Sequence, residues 1–327
     1  MGFAAAQGSI VGESVSPWRS VGEAKGSYLP VPCLPGHAQE LPVRVATDPD
    51  RQGEGADVAH FPEACLSGYA GGDIPSHDGF DWALLEGCAR RVLDLARELG
   101  NWVVLGSAHQ LTAPHNPHNS LYIIDDHGRI LDRYDKMFCA ADESGKTGDL
   151  AHYSLGNHFS VFSIKGVRCG ALICHDYCYP ELYRAYKRRG VQMMFHSYHA
   201  GNIPPGRFRT MQDYVCDGNK GLNPGATLVA GITMPATRVA EAANNHVWIS
   251  CPNSSARESL WPGFFVRPDG VLTDRLRRNT TGVLISEVDA SEQNYDSTIA
   301  WRARAMEGVL HSGTLVHNRR SDERTRL

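Results

Sequence analysis

The sequence of 327 residues lacks the features that mark a membrane protein or a nucleic-acid-binding protein. Its longest apolar runs, such as residues 102–106 and 170–174, are far shorter than the roughly 20 residues that a membrane-spanning helix needs. Basic residues are not in excess, since 32 Lys and Arg stand against 36 Asp and Glu and give a net charge of −4. We therefore expect no membrane association and no nucleic-acid partner.

The sequence also lacks signals for secretion and for two common enzyme classes. Its first residues have no basic segment followed by an apolar core, so no secretory signal is expected. The 9 cysteines are scattered and odd in number, which favours reduced thiols and a cytoplasmic location. No Gly-x-Ser-x-Gly serine-hydrolase signature occurs. Gly145-Lys146-Thr147 resembles the end of a phosphate-binding loop, but Ala140 replaces its leading glycine.

Short β-rich runs alternate with helical segments from about residue 55 onward, which is typical of an α/β protein. The predicted strands are Trp102–Gly106, Leu121–Asp125, Ile130–Asp135, Phe159–Ile164, Arg168–Cys174, Gln192–Ser197, Thr227–Ile232, Trp248–Pro252 and Thr281–Asp289. The predicted helices are Trp82–Leu99, Glu181–Arg189, Arg207–Val215 and Pro235–Asn244. The excess of strands over helices indicates a sheet-rich sandwich. Turn sequences at residues 125–128 and 267–270 favour two antiparallel hairpins, so the sheets should be mixed.

Two segments depart from this alternation of strands and helices. Residues 13–54 are rich in proline and show neither a helical nor an alternating period. We interpret them either as a genuine insertion or as a frame-shifted stretch whose frame is restored near Gly55. The tail after Trp301 is polar, with a few apolar residues such as Val309, Leu310 and Leu315. We expect such a tail, residues 301–327, to lie at a subunit interface.

The densest group of reactive side chains lies at residues 169–184. There an apolar strand ends in Cys174-His175-Asp176, and the chain turns at Pro180 into a predicted helix. Cys174 is therefore expected to be exposed and positioned at the end of a strand. Because cysteine is nucleophilic only as the thiolate, it would need a base or a cation nearby.

Two charged residues are candidate partners for this cysteine. Glu63 follows the apolar segment 56–61, and Lys136 follows the predicted strand that ends at Asp135. Either charge in isolation would be interpreted as a surface residue. Both lie at the end of a predicted strand, as Cys174 does.

Together these three segments resemble the carbon–nitrogen hydrolase (nitrilase) superfamily, whose members carry Glu, Lys and Cys in this order. The main matches are Pro-Glu-x-x-Leu-Ser-Gly-Tyr around Glu63, Tyr-Asp-Lys at Lys136, and Ile-Cys-x-Asp-x-x-x-Pro-Glu around Cys174. Further matches are Asn119-Ser120-Leu121-Tyr122, Ala243-Asn244-Asn245 and Asn253-Ser254-Ser255. The resemblance extends from about Gly55 to the end of the chain. It implies one domain over residues 1–327, folded as a four-layer α-β-β-α sandwich, and at least a homodimer.

The resemblance also implies roles for the three residues. Glu63 would take the thiol proton of Cys174, whose sulfur would attack an amide-like carbonyl carbon. Lys136 and the backbone N–H after Cys174 would stabilise the oxyanion. No cofactor or metal is implied. Many members carry a second Glu after the lysine; Glu143 is the best match here, with Asp142 as a rival.

The residues after the nucleophile bear on the substrate. Nitrile-cleaving members usually place Trp-Glu there, whereas this chain has His175-Asp176, which is similar to amidases and carbamoylases. We therefore expect a small amide or N-carbamoyl substrate, with nitrile hydrolysis as the alternative. The residues expected to bind the substrate by their family positions are Tyr69, His175, Tyr177, His196 and His199.

Two other interpretations remain open at this point. Cys174, His175, Asp176 and Cys178 offer metal-ligating atoms, but no second ligand pair with zinc-type spacing follows, so we expect no metal. The chain could also be a scaffold that keeps the fold without catalysis. The presence of all three residues at the motif positions argues against that alternative.

Overall fold

The computed structural model describes residues 39–46, 56–141, 144, 146–223 and 228–326. Its strands are β1 (Gln39–Ala46), β2 (Val58–His60), β3 (Trp102–His109), β4 (His118–Ile124), β5 (Ile130–Asp135), β6 (Val161–Ile164), β7 (Val167–Ile173), β8 (Met193–Ser197), β9 (Trp248–Cys251), β10 (Phe264–Val266), β11 (Leu272–Arg275), β12 (Gly282–Val283) and β13 (Ser286–Asp289). Its α-helices are α1 (Trp82–Leu99), α2 (Pro180–Arg188), α3 (Pro205–Asp213), α4 (Asp217–Lys220), α5 (Val229–Asn245), α6 (Arg302–Met306) and α7 (Arg319–Asp322).

The strands form two mixed sheets. The first has the order β12-β1-β2-β3-β4-β5, with β13 also paired to β1, and the second has the order β11-β10-β9-β8-β7-β6. In the first sheet β2 and β3 are parallel, whereas β3, β4 and β5 are antiparallel. In the second sheet β7, β8 and β9 are parallel, and the flanking pairs are antiparallel. Both predicted hairpins are confirmed, as β4–β5 and β10–β11.

Helix α1 covers the outer face of the first sheet. The Asp81 side chain caps its start by accepting a 2.9 Å hydrogen bond from Leu84 N, and Gly100 ends it with a left-handed φ of 66°. Its buried stripe is Leu85, Cys88, Val92 and Ala96. No helix in the described ranges is both long enough and apolar enough to cross a membrane.

The inner faces of the two sheets share one hydrophobic core. Val104 and Leu121 of the first sheet belong to the same buried cluster as Ala171 and Phe195 of the second. Helices α2 and α5 cover the outer face of the second sheet and contact each other. Helix, sheet, sheet and helix therefore succeed one another, which confirms the predicted four-layer sandwich.

One predicted strand is wrong. The segment Thr227–Ile232 was expected to be extended because of its β-branched residues, but from Val229 onward it forms the first turns of α5. The buried residues Met234, Arg238 and Ala242 recur every fourth position, so packing on one helical face decides the structure. The predicted strand Thr281–Asp289 is also divided, into β12 and β13.

Most of the proline-rich segment 13–54 lies outside the described residues. The expected lack of regular structure is wrong for residues 39–46, because β1 pairs in parallel with β13 and antiparallel with β2. Pro42 lies inside this strand and interrupts the pattern by which a strand is recognised in sequence. The question of insertion or frame shift concerns the remaining residues and stays a prediction.

Candidate active site

Glu63 is held at the end of β2 by a loop that is bonded to β3. Phe61 N donates to Val104 O at 2.9 Å, and Leu66 N donates to Gly106 O at 3.0 Å. The loop passes so close to β3 that a Cβ atom at Gly106 would lie 2.0 Å from the Pro62 carbonyl oxygen. Only glycine at position 106 allows this approach, which fixes where the Glu63 backbone lies.

Lys136 follows β5, and its side chain lies between two carboxylates. Its Nζ donates to Glu63 Oε1 at 2.8 Å and to Asp149 Oδ2 at 2.6 Å. Lys136 and Glu63 have no exposed surface. Burial opposes the charge of the ammonium, but Glu63 and Asp149 outweigh it and raise the pKa of Lys136 well above its ordinary value. Lys136 is therefore a cation with one of its three N–H donors left for a further partner.

The Glu63 carboxylate is held by two donors besides the lysine. Asn119 Nδ2 donates to Oε1 at 2.7 Å, and the backbone N–H of His199 donates to Oε2 at 2.7 Å. These donors come from β4 and from the segment after β8, so both sheets contribute to the position of Glu63. A carboxylate fixed in this way can receive a proton without first moving.

Asp149 is a site residue that the sequence reasoning missed. It lies in a 3₁₀ helix, residues 148–151, and accepts hydrogen bonds from Lys136 Nζ, Tyr69 Oη and, at 2.9 Å, Ala140 N. Burial works against its charge, but Lys136 and these donors lower the pKa of Asp149 below its ordinary value. The predicted second acid, Glu143, and its rival Asp142 lie outside the described residues.

Cys174 follows the last residue of β7 and begins a 3₁₀ helix that runs to Cys178. Its backbone has a φ of 41°, a left-handed conformation that is uncommon for a residue with a side chain. Such strain persists where the surroundings hold it, and it is frequent at active sites. Burial raises the pKa of the Cys174 thiol well above its ordinary value, and the Glu63 carboxylate adds to the shift. The thiol is therefore protonated at neutral pH and needs a base before it can react.

Asp176 ties the cysteine segment to the lysine segment. Its carboxylate accepts hydrogen bonds from Ile173 N at 2.9 Å, Phe138 N at 2.8 Å and Tyr134 Oη at 2.7 Å. Burial raises the pKa of Asp176 to about 6. The Asp of the Cys-x-Asp motif thus has a positioning role, because it joins the ends of β5 and β7.

A cavity of about 670 Å³ opens over this cluster. We call Glu63, Lys136, Asp149 and Cys174 the floor cluster; the last three line the cavity, and Glu63 lies directly behind Lys136. The lining also includes residues of the segment 202–211, which we call the rim segment. Four of the five predicted substrate-binding residues line the cavity: Tyr69, His175, Tyr177 and His199.

His196, the fifth of these residues, is fully buried and does not line the cavity. Its Nε2 lies 3.2 Å from the Cys174 carbonyl oxygen, so Nε2 carries the proton and donates. Its Nδ1 then accepts from Tyr183 Oη at 2.7 Å and from Arg238 Nη1 at 3.3 Å. Burial and Arg238 lower the pKa of His196 well below its ordinary value, so the ring is neutral. His196 thus supports the strained Cys174 backbone from behind.

Comparison with known proteins assigns the family. The sequence pattern of the carbon-nitrogen hydrolases matches residues 40–295. The chain belongs to the carbon-nitrogen hydrolase family. The assignment made from the three sequence motifs is thereby confirmed.

Two curated relatives of this carbon-nitrogen hydrolase are amidases. It is 26% identical to 2-oxoglutaramate amidase of Bacillus subtilis (strain 168) over 148 residues, which are 45% of this chain and 53% of the relative. It is 29% identical to N-carbamoylputrescine amidase of Arabidopsis thaliana over 136 residues, which are 41% of this chain and 44% of the relative. The chain thus spans about half the length of the curated relatives that it matches.

Solved structures share the fold of this hydrolase. An amidase variant from Nesterenkonia sp. AN1 carries the acetamide moiety of fluoroacetamide on its active-site cysteine; it aligns with a TM-score of 0.52 at 19% identity, over 74% of this chain and 86% of that chain. Another variant of that amidase, in complex with butyramide, aligns with a TM-score of 0.51 at 19% identity, over 74% and 87% of the two chains. At such identities the similarity establishes the fold.

The cysteines outside the floor cluster differ in their surroundings. Among the described residues the cysteines outside disulfides are Cys65, Cys139, Cys169, Cys174, Cys178, Cys216 and Cys251. Cys88 is disulfide-bonded, so the prediction of reduced thiols is wrong at that position.

Within the described residues the one group with metal-ligating atoms close together is Asp125, Asp126 and His127, in the β4–β5 turn. The Asp125 carboxylate there already accepts hydrogen bonds from His127 N and Arg129.

Proposed function

We propose that the protein is a cysteine-dependent amidohydrolase that cleaves the C–N bond of a small linear amide or N-carbamoyl compound. The observation that carries the proposal is the floor cluster, in which a protonated thiol, a fixed carboxylate and a buried ammonium meet at one cavity. Each group has a defined task in acyl transfer. The amidase relatives support the same reaction class.

The first half of the reaction forms a thioester. Glu63 takes the proton of the Cys174 thiol while the sulfur attacks the carbonyl carbon, and the carbonyl oxygen becomes an oxyanion. The remaining N–H of Lys136 Nζ and the backbone N–H of His175 stabilise that charge, each by a few kcal/mol. The tetrahedral intermediate then collapses: the C–N bond breaks, the leaving nitrogen takes the proton from Glu63, and ammonia or an amine departs.

The second half regenerates the thiol. Glu63 is again a carboxylate and takes a proton from a water molecule, whose oxygen attacks the thioester carbon. The C–S bond breaks, the thiolate recovers the proton from Glu63, and the acid leaves. In this scheme Asp149 is the second acid, because it balances the charge of Lys136 and fixes its Nζ by the 2.6 Å contact.

Ammonia release from a substrate panel tests the proposal. The panel contains a primary amide, an N-carbamoyl amine and a nitrile, and Cys174→Ala is the control. We expect release from the amide or the carbamoyl compound and none from the control. Cleavage of the nitrile alone would make the protein a nitrilase, and no turnover of any compound would favour a non-catalytic scaffold.

We propose in addition that the protein forms at least a homodimer through its tail. Within the described residues 301–326 four large apolar side chains are exposed: Trp301, Leu310, Leu315 and Val316. Burial of such side chains against a second copy would remove apolar surface from water. Light scattering of the full chain and of a chain truncated after residue 300 tests this, and a monomeric full chain would contradict it.

A further inference from the structure

The rim segment brings one arginine to the active-site cavity. Helix α3 begins at Pro205 and has no buried residue. Arg207 and Met211 lie four positions apart on this helix, on the same face, and both line the cavity. Arg207 is exposed, whereas Lys136 is fully buried.

Lys136 and Arg207 are the two Lys or Arg side chains among the described residues that line the cavity. The charge of Lys136 is matched by Glu63 and Asp149 at 2.8 and 2.6 Å. Arg207 has no hydrogen-bond or ion-pair partner within the described ranges of the chain. The cavity therefore has one buried cation whose charge is balanced and, among the described residues, one exposed cation without a counter-charge.

We propose that the substrate carries a carboxylate at the end opposite its scissile amide, and that Arg207 binds this carboxylate. The inference rests on the proposed function and names its substrate class, the monoamides of short dicarboxylic acids. A guanidinium binds a carboxylate through two parallel N–H donors. The floor cluster is unsuited to that group, because its two carboxylates would repel a third at close range.

Apolar side chains in the cavity wall suit a short carbon chain. Ile203, Leu260 and Trp261 line the cavity and offer apolar surface to methylene groups. A substrate with an amide at Cys174 and a carboxylate at Arg207 would thus place each of its three parts against matching chemistry. An ammonium in place of the carboxylate would face Arg207 and be disfavoured.

Three amides of equal chain length test the inference by kinetics. Glutaramate ends in a carboxylate, pentanamide in a methyl group and 4-aminobutanamide in an ammonium. We expect kcat/KM to be highest for glutaramate and lowest for 4-aminobutanamide. Arg207→Gln should lower kcat/KM for glutaramate about 10-fold, mainly through KM, and leave pentanamide within about twofold. Salt should weaken the preference.

Arg209→Gln is the matched control, because Arg209 lies on the same helix, is exposed and does not line the cavity. It should leave all three rates unchanged, and Arg207→Lys should retain part of the preference. Equal rates for glutaramate and pentanamide in the unaltered protein, or an equal loss on all three substrates in Arg207→Gln, would overturn the inference.

Binding measurements separate this inference from the proposed function. Calorimetry with the Cys174→Ala variant measures glutaramate binding without turnover. We expect the Cys174→Ala variant to bind glutaramate and the Cys174→Ala, Arg207→Gln double variant to lose this binding. Binding without any turnover by the unaltered protein would contradict the proposed function alone. Glutaramate binding that is unchanged by Arg207→Gln would contradict the inference alone.

Discussion

The floor cluster and the rim segment face the same cavity but are built differently. Glu63, Lys136 and Cys174 follow strand ends of the two sheets, and Lys136 and Glu63 are fully buried and hydrogen-bonded to each other. The rim segment carries Arg207 on a short helix with no buried residue. The sandwich therefore holds the reacting groups rigidly, whereas the residue that we propose to bind the substrate carboxylate lies on a loosely packed element.

From this difference we expect the floor cluster to carry out the reaction and the rim segment to select the substrate. Substitutions in the floor cluster should affect every substrate and, where a charge is removed, the stability of the fold. Substitutions in the rim segment should affect some substrates and leave stability unchanged. Variants in the two regions test whether their effects differ in this way.

The largest effect is expected for the nucleophile. Cys174→Ala should lower kcat by at least about 10⁴-fold on any accepted amide, because no other group can form the thioester. Circular dichroism should show an unchanged fold. Cys178→Ser is the matched control and should keep most activity, since Cys178 is exposed and does not line the cavity. An inactive Cys178→Ser with an active Cys174→Ala would reverse the assignment.

The next largest effect concerns stability. Lys136→Met leaves Glu63 and Asp149 buried without their cation, and removal of one partner of a buried ion pair costs about 3–5 kcal/mol of unfolding free energy. Denaturant unfolding measures this loss. Arg207→Gln in the rim segment is the comparison and should change the unfolding free energy by less than about 0.5 kcal/mol. Similar losses in both variants would remove the distinction between floor and rim.

Asp149 should matter for the rate. Asp149→Asn removes the charge that lies 2.6 Å from Lys136 Nζ, so the position of the ammonium relaxes and kcat should fall about 10²-fold. Steady-state kinetics on a confirmed amide measures the fall. Glu143→Gln tests the residue predicted from sequence as the second acid, and we expect it to stay near the unaltered rate. The opposite outcome would restore Glu143 to that role.

Asp176 should make stability depend on pH. Its pKa is raised from 3.8 to about 6 by burial, so the folded state holds this proton more tightly than the unfolded state. Its contribution is therefore present below about pH 4 and is lost as the pH rises to about 6, by about 2–3 kcal/mol in total. The unfolding free energy of the unaltered protein, relative to Asp176→Asn, should fall across that window. Parallel pH curves would contradict the assignment.

Strand ends and motifs are local signals, so the sequence predicted a sheet-rich sandwich and the three central residues, and the family resemblance implied the four layers. Glu63, Lys136 and Cys174 each stand at the end of a predicted strand, where a sheet presents side chains at its edge. Asp149 was missed because it reaches Lys136 across a loop of 12 intervening residues, 137–148, and no periodicity marks such a contact. His196 was expected in the cavity because of its family position, but it is fully buried, and its ring contacts the Cys174 carbonyl oxygen. For Arg207 the sequence predicted only a place in a helix and no contact with the cavity.

The start of α5 shows the same limit in the fold. Val229 and its neighbours favour a strand by composition, whereas the helix is decided by what Met234, Arg238 and Ala242 pack against. A short stretch of sequence does not predict tertiary packing of this kind.

Mass spectrometry of the acyl-enzyme tests the central claim most directly. The protein is mixed with a turned-over amide, quenched in acid and digested, and the peptide of residues 169–184 is sequenced. We expect an acyl group on Cys174 that hydroxylamine removes, and no acyl group on Cys178. Acylation at another residue, or turnover by a Cys174→Ala variant with no thioester at any time, would contradict it.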